Sequence, residues 1–151
     1  MARLPEQPRL NTLGASAGTA FADPLIIITI HGTYAPLRHL FLEAGVDLGL
    51  VSAYGDVAAY YSMYPFAHIG WFVPFADRSG WYIGAGAGYM FGAYTFFDEY
   101  TYDRAETPVS VFALDFVTGL TIGGFDISYT LRTNFGSVGN KISIGYTYRF
   151  K

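Results

Sequence analysis

The residues that most constrain this chain lie at its C-terminal end. From Lys141 to Phe150, Ile142, Ile144, Tyr146, Tyr148 and Phe150 alternate with Lys141, Ser143, Gly145, Thr147 and Arg149. A strand sends successive side chains to opposite faces, whereas a helix would scatter these apolar residues around its circumference. The stretch therefore predicts a strand with one apolar and one polar face.

The same period of two recurs along the chain. Turn signals divide it into eight segments, at 9–19, 25–34, 39–51, 58–73, 80–96, 108–122, 125–134 and 140–150. Each is about as long as, or longer than, the roughly 9–11 residues that a tilted strand needs to cross a bilayer. Leu40, Leu42, Val46, Leu48 and Leu50 oppose Phe41, Glu43, Gly45, Asp47 and Gly49 in the third; Phe125, Ile127, Tyr129 and Leu131 oppose Asp126, Ser128, Thr130, Arg132 and Asn134 in the seventh. The alternation is weakest in the first and fourth segments. Eight such segments predict an all-β, eight-stranded antiparallel up-and-down barrel whose first and last strands pair near Asn11 to Gly18.

Alternation alone leaves open which face is outside, since a soluble ligand-carrying barrel also alternates. Volume and charge decide. The lumen of eight strands is only wide enough for side chains to fill, and the large apolar set would overfill it. The polar face is mostly Gly, Ser, Thr and Tyr, with little of the Lys and Glu that a solvated exterior carries. Charged residues are 14% of the chain, well below the roughly 25% of soluble domains. Of the nine basic and twelve acidic residues, seven fall inside the segments, Arg9 at the first position of the first one aside: Glu43, Asp47, Asp115, Asp126, Arg132, Lys141 and Arg149. All seven lie on the polar side, as expected if a lipid-facing charge at mid-membrane costs roughly 2–4 kcal/mol. Lipid outside and a polar lumen is the reading that fits. No apolar run approaches the eighteen or so residues of a membrane helix, cysteine is absent, and a net charge of −3 offers no footprint for nucleic acid.

On these strands and charges the chain resembles the small eight-stranded bacterial outer-membrane β-barrels of the OmpX, OmpW and OmpA-transmembrane-domain type. Its last strand resembles the aromatic-ended strand that closes such barrels, with Tyr146, Tyr148 and Phe150 as the signal read by the barrel assembly machinery; Lys151 after the aromatic is a departure. The resemblance implies residence in a bacterial outer membrane, contact with lipid or detergent, and a monomer. Residues 1–8 read as a disordered lead-in and 9–151 as one barrel domain. No secretory signal opens the sequence, so a mature form with an initiator Met, or a barrel cut from a longer precursor, is expected.

If the last strand ends at the periplasm, the outer connections are 21–24, 52–57, 97–107 and 135–139. Outer-membrane barrels have short periplasmic turns and longer outer loops. The longest connection does fall outside, and Asp98, Glu99, Tyr100, Tyr102, Asp103, Arg104 and Glu106 make it the candidate surface for an extracellular partner. Aromatics near strand ends (Tyr34, Trp71, Trp81, Phe96, Tyr146, Tyr148 and Phe150) suit interfacial girdles.

Inside, His31, Glu43, Asp47, His68, Asp115, Asp126, Arg132, Lys141 and Arg149 are expected to form a polar network, because charges in a narrow lumen must pair and hydrogen-bond. A plugged lumen is the leading expectation and a narrow channel for small solutes the alternative. A lipid-modifying enzyme built on His31 or His68 is less favoured, and so is a soluble carrier; no catalytic residue, metal site or cofactor is assigned. Gly84, Gly86, Gly88 and Gly92 share the polar face of the fifth segment and read as room for Tyr64, Phe66 or long arginine chains rather than as a phosphate loop.

Overall fold

A computed structural model describes residues 11–20, 24–51, 59–76, 78–97 and 104–150, with the side chains of 59–60, 94–97, 104–107 and 109 left aside. Eight strands form a closed barrel: β1 (Thr12–Thr19), β2 (Ile26–Tyr34), β3 (Leu40–Leu50), β4 (Ala59–Ala76), β5 (Ser79–Phe97), β6 (Arg104–Ile122), β7 (Phe125–Thr133) and β8 (Val138–Arg149). Each pairs antiparallel with the next, and β8 returns to β1 from Thr12↔Arg149 to Thr19↔Ile142. The Phe150 amide extends this seam by donating to the Asn11 carbonyl at 2.9 Å.

The period of two becomes inside and outside. Leu13, Ile28, Ile30, Leu42, Ile69, Trp71, Ile83, Phe116, Ile127 and Ile144 are exposed on the outer surface, while Thr29, Asp47, Tyr64, His68, Asp115 and Ser143 are buried in the lumen. Rings and glycines face one another there. A methyl group at Gly88 would strike the Tyr64 ring, one at Gly45 the Phe66 ring, and one at Gly70 the Phe41 ring. The inward glycines are thus the space that lets large rings fit a lumen of eight strands.

Two further features follow from single residue types. Gly123 and Gly124 both have positive φ, 60° and 99°, and form the two-residue connection between Ile122 and Phe125. A tight hairpin turn of this kind needs left-handed backbone at both positions. Pro65 has the opposite effect. Its register partner on β3 is Val46, but the β4–β5 ladder runs from Met63↔Phe91 to Phe66↔Gly88 without the two rungs between. Proline has no N–H to donate toward β5, and both rungs need it.

Strand lengths differ sharply. β4, β5 and β6 have 18, 19 and 19 residues, against 8 to 12 for the rest. This corrects the expected boundaries: Phe97 ends β5 and Arg104 begins β6, so Arg104 and Glu106 lie in a strand and not in a loop. Asp98, Glu99, Tyr100, Tyr102 and Asp103 lie outside the described residues. Polar composition marked 97–107 as a loop because alternation was the strand signal. A hairpin with water on both faces pairs through its backbone without that signal. β6 meets β7 only from Leu114 onward, so 104–113 pairs with β5 alone among the described strands. At the other end, β4 runs to Ala76, past the expected start of the turn at Pro74. We call the end holding Thr12 and Arg149 the terminal end, and the opposite one the far end.

Candidate functional site

One connected set of side chains crosses the middle of the lumen. Glu43 from β3 lies between two histidines, its Oε2 2.9 Å from His68 Nδ1 and its Oε1 2.9 Å from His31 Nδ1. The second approach is out of line for a hydrogen bond, which leaves His31 Nδ1 buried without a hydrogen-bond partner. His68 Nε2 continues to Asp115 Oδ2 at 3.0 Å. Because each ring nitrogen of His68 faces a carboxylate oxygen, the ring satisfies both only with a proton on each nitrogen.

Asp115, fully buried at 0% exposure, is the centre of the set. Its Oδ1 accepts from Arg132 Nε at 2.9 Å and from the Tyr64 hydroxyl at 3.0 Å. Arg132 Nη2 reaches Asp47 Oδ2 at 3.0 Å, and Lys141 Nζ donates to Asp47 Oδ1 at 2.7 Å and to Thr29 Oγ1 at 3.0 Å. Thr29 in turn donates to Asp47 at 2.6 Å. Three carboxylates thereby meet Arg132, Lys141 and a doubly protonated His68. Buried charges are costly unless paired and hydrogen-bonded in this way.

A stack of planar groups supports these pairs. Tyr64, Phe66 and His68 are successive inward residues of β4, spaced by two. Phe66 and His68 stack at 4.7 Å, Tyr64 and Phe66 at 6.3 Å, and the Arg132 guanidinium lies 3.5 Å from the Tyr64 ring centroid. A cation held over an aromatic face while bonded to carboxylates has little freedom to swing.

Two cavities flank this block. The one at the far end has a volume of about 290 Å³ and reaches down to Arg132 and Lys141. The one at the terminal end, about 120 Å³, reaches His31 and Glu43. The remaining lumen residues stand apart from the block. Asp126 accepts from Tyr82 at 2.9 Å and Thr121 at 3.0 Å, and Arg149 lines the terminal-end cavity. The structure thus brings together His31, Glu43, Asp47, His68, Asp115, Arg132 and Lys141, and places Asp126 and Arg149 nearer the terminal end. Tyr146, Tyr148 and Phe150 are exposed outward along β8.

Sequence reasoning did not assign Thr29, Tyr64 or Tyr82 to the network, although each occupies a polar-face position of its strand. Their hydroxyls carry no charge to mark them. A count of carboxylate lone pairs against available donors is the signal that could have raised them.

The fold is a closed eight-stranded antiparallel β-barrel of the kind found in outer-membrane proteins. The chain is similar to the N-terminal β-barrel domain of Pseudomonas aeruginosa OprF, with a TM-score of 0.60 at 10% identity over 93% of this chain and 98% of that one. It is also similar to Neisserial surface protein A (NspA), TM-score 0.59 at 10% identity over 93% and 94% of the two chains. A third similarity is to Ail, the attachment invasion locus protein of Yersinia pestis, TM-score 0.58 at 12% identity over 93% and 100%. No protein-family model matches the sequence. No curated protein matches it either.

Proposed function

We propose that the protein is a non-enzymatic integral protein of a bacterial outer membrane, a plugged barrel that holds a β-sheet above the bilayer for contact with a partner. The observation that carries this reading is the inequality of the strands. A crossing needs about 9–11 residues, and β5 and β6 have 19 each. The surplus is continuous at the far end, where 104–113 of β6 pairs, among the described strands, with β5 alone. Pro108, within this stretch that no second described strand covers, lacks an N–H and so blunts indiscriminate strand addition.

The terminal end then faces the periplasm and the far end the outside, with short connections on the inner side as in outer-membrane barrels. The aromatics exposed near the terminal end (Tyr34, Trp71, Trp81, Tyr146, Tyr148 and Phe150) would sit at the inner lipid interface as a girdle. Tyr146, Tyr148 and Phe150 would also serve assembly.

The segment proposed to meet the partner is the one between β5 and the start of β6, with Asp98, Glu99, Tyr100, Tyr102, Asp103, Arg104 and Glu106. Ail has been solved in complex with the heparin analogue sucrose octasulfate. Here four acids stand against one arginine between 98 and 106. That balance disfavours a polyanion and favours a basic partner. An epitope tag inserted between 98 and 103 tests the arrangement: on intact cells it should be labelled by antibody, and its replacement by a short turn should abolish binding to a basic surface while the barrel still folds. A tag reached only after the outer membrane is opened would overturn the orientation.

A further inference from the structure

We propose that the far-end cavity is a binding site for a small organic anion with an apolar body, such as a carboxylate on a single ring or short chain. This goes beyond the reading of the barrel as an anchor and does not depend on which way the barrel faces. The cavity's floor and walls have opposite chemistry. Arg132 and Lys141 form the floor, Ile27, Met90, Val111 and Ala113 supply apolar walls, and Asn134, Ser137 and Asn140 add neutral polar groups to the lining. Among the described residues that line it there is no carboxylate. The acids that neutralise the two cations lie deeper: the side chains of Arg132 and Lys141 are 16% and 9% exposed, those of Asp47 and Asp115 4% and 0%.

A molecule entering this cavity therefore meets positive charge first and apolar carbon around it. A cation is repelled by the floor. A bare inorganic anion gains the floor but loses hydration against the apolar walls, where Ile27, Met90, Val111 and Ala113 return no hydrogen bonds. A neutral apolar molecule would cover the floor cations without satisfying them. An organic anion matches both surfaces, with few convergent polar groups fixing orientation in an otherwise apolar pocket. A volume of about 290 Å³ equals about ten waters at about 30 Å³ each. That is room for one ring and its carboxylate.

The test uses the full chain, folded in uncharged maltoside micelles and observed by NMR. Benzoate should produce saturable shifts at Met90, Val111 and Lys141, whereas benzamide and sulfate should each bind at least about tenfold more weakly. Val111→Phe fills the cavity without touching an ion pair and should weaken benzoate by about tenfold or more. The same loss is expected from Asp47→Asn with Lys141→Gln, which removes a pair without stranding a charge. Equal binding of benzamide, equal binding of sulfate, or unchanged benzoate shifts in a folded Val111→Phe protein would each overturn the proposal. Because the benzoate–benzamide comparison is made on the unaltered chain, failure of a variant to fold leaves it decisive.

Discussion

β6 passes through two environments, and comparing them explains what the period of two means. Between Phe112 and Leu120 its even positions hold no charge, and its odd positions carry Ala113, Asp115, Val117 and Gly119 into the lumen. Between 104 and 106 the even positions are Arg104 and Glu106. The strand and its pairing with β5 are continuous through both stretches. On the proposed reading what changes is the surroundings: lipid on one side and a narrow lumen on the other enforce alternation, and where either ends the rule ends. The difference shows that charge segregation records the bilayer, while strand pairing does not need it.

The comparison can be broken most forcefully from inside the lumen. Arg132→Met leaves Asp47 and Asp115 short of a shared cation and should cost about 3–5 kcal/mol, read as a lower midpoint of urea unfolding in lipid vesicles. Neutralising Asp115 in the same protein, which leaves Asp47 paired with Lys141 and Glu43 with His68, should recover most of that loss. If it does not, Arg132 acts mainly through its packing on Tyr64.

Paired substitutions on the two stretches of β6 test the bilayer directly. Phe116→Arg places a charge on the lipid face and should destabilise by roughly 2–4 kcal/mol. Pro108→Arg, in the projecting edge, should stay within about 0.5 kcal/mol of the parent. Similar losses at both positions would mean that the bilayer covers the whole strand. A smaller effect is expected at the interrupted ladder. Pro65→Val returns an N–H toward the Tyr89 carbonyl and should stabilise the barrel by about 0.5–1.5 kcal/mol. No change in unfolding midpoint would show that lipid or a tilted backbone already compensates for the missing rung.

Most of the barrel was legible from sequence because its two constraints act on every second residue. The closure of β8 on β1 follows from eight alternating segments, and the inward placement of Glu43, Asp115 and Lys141 from alternation together with lumen volume and charge. The long hairpin was not legible: Arg104 and Glu106 break the alternation and look like a loop, yet pair like a strand. The connectivity of the lumen was hidden for another reason. Parity says that His68, Asp115 and Arg132 point inward, but the stagger between β4, β6 and β7 decides which of them touch. That stagger is set around the whole circumference, by turns such as Gly123–Gly124 and by rings such as Tyr64 and Phe66 that fill the space left by Gly88 and Gly45.

The account rests on a lumen closed at its centre by Asp115, Arg132, His68 and their partners. Conductance of the purified chain across planar lipid bilayers measures this most directly. A closed lumen predicts a baseline current without discrete openings. Discrete openings of the unaltered protein, with an ion selectivity that changes when Arg132 is neutralised, would contradict it.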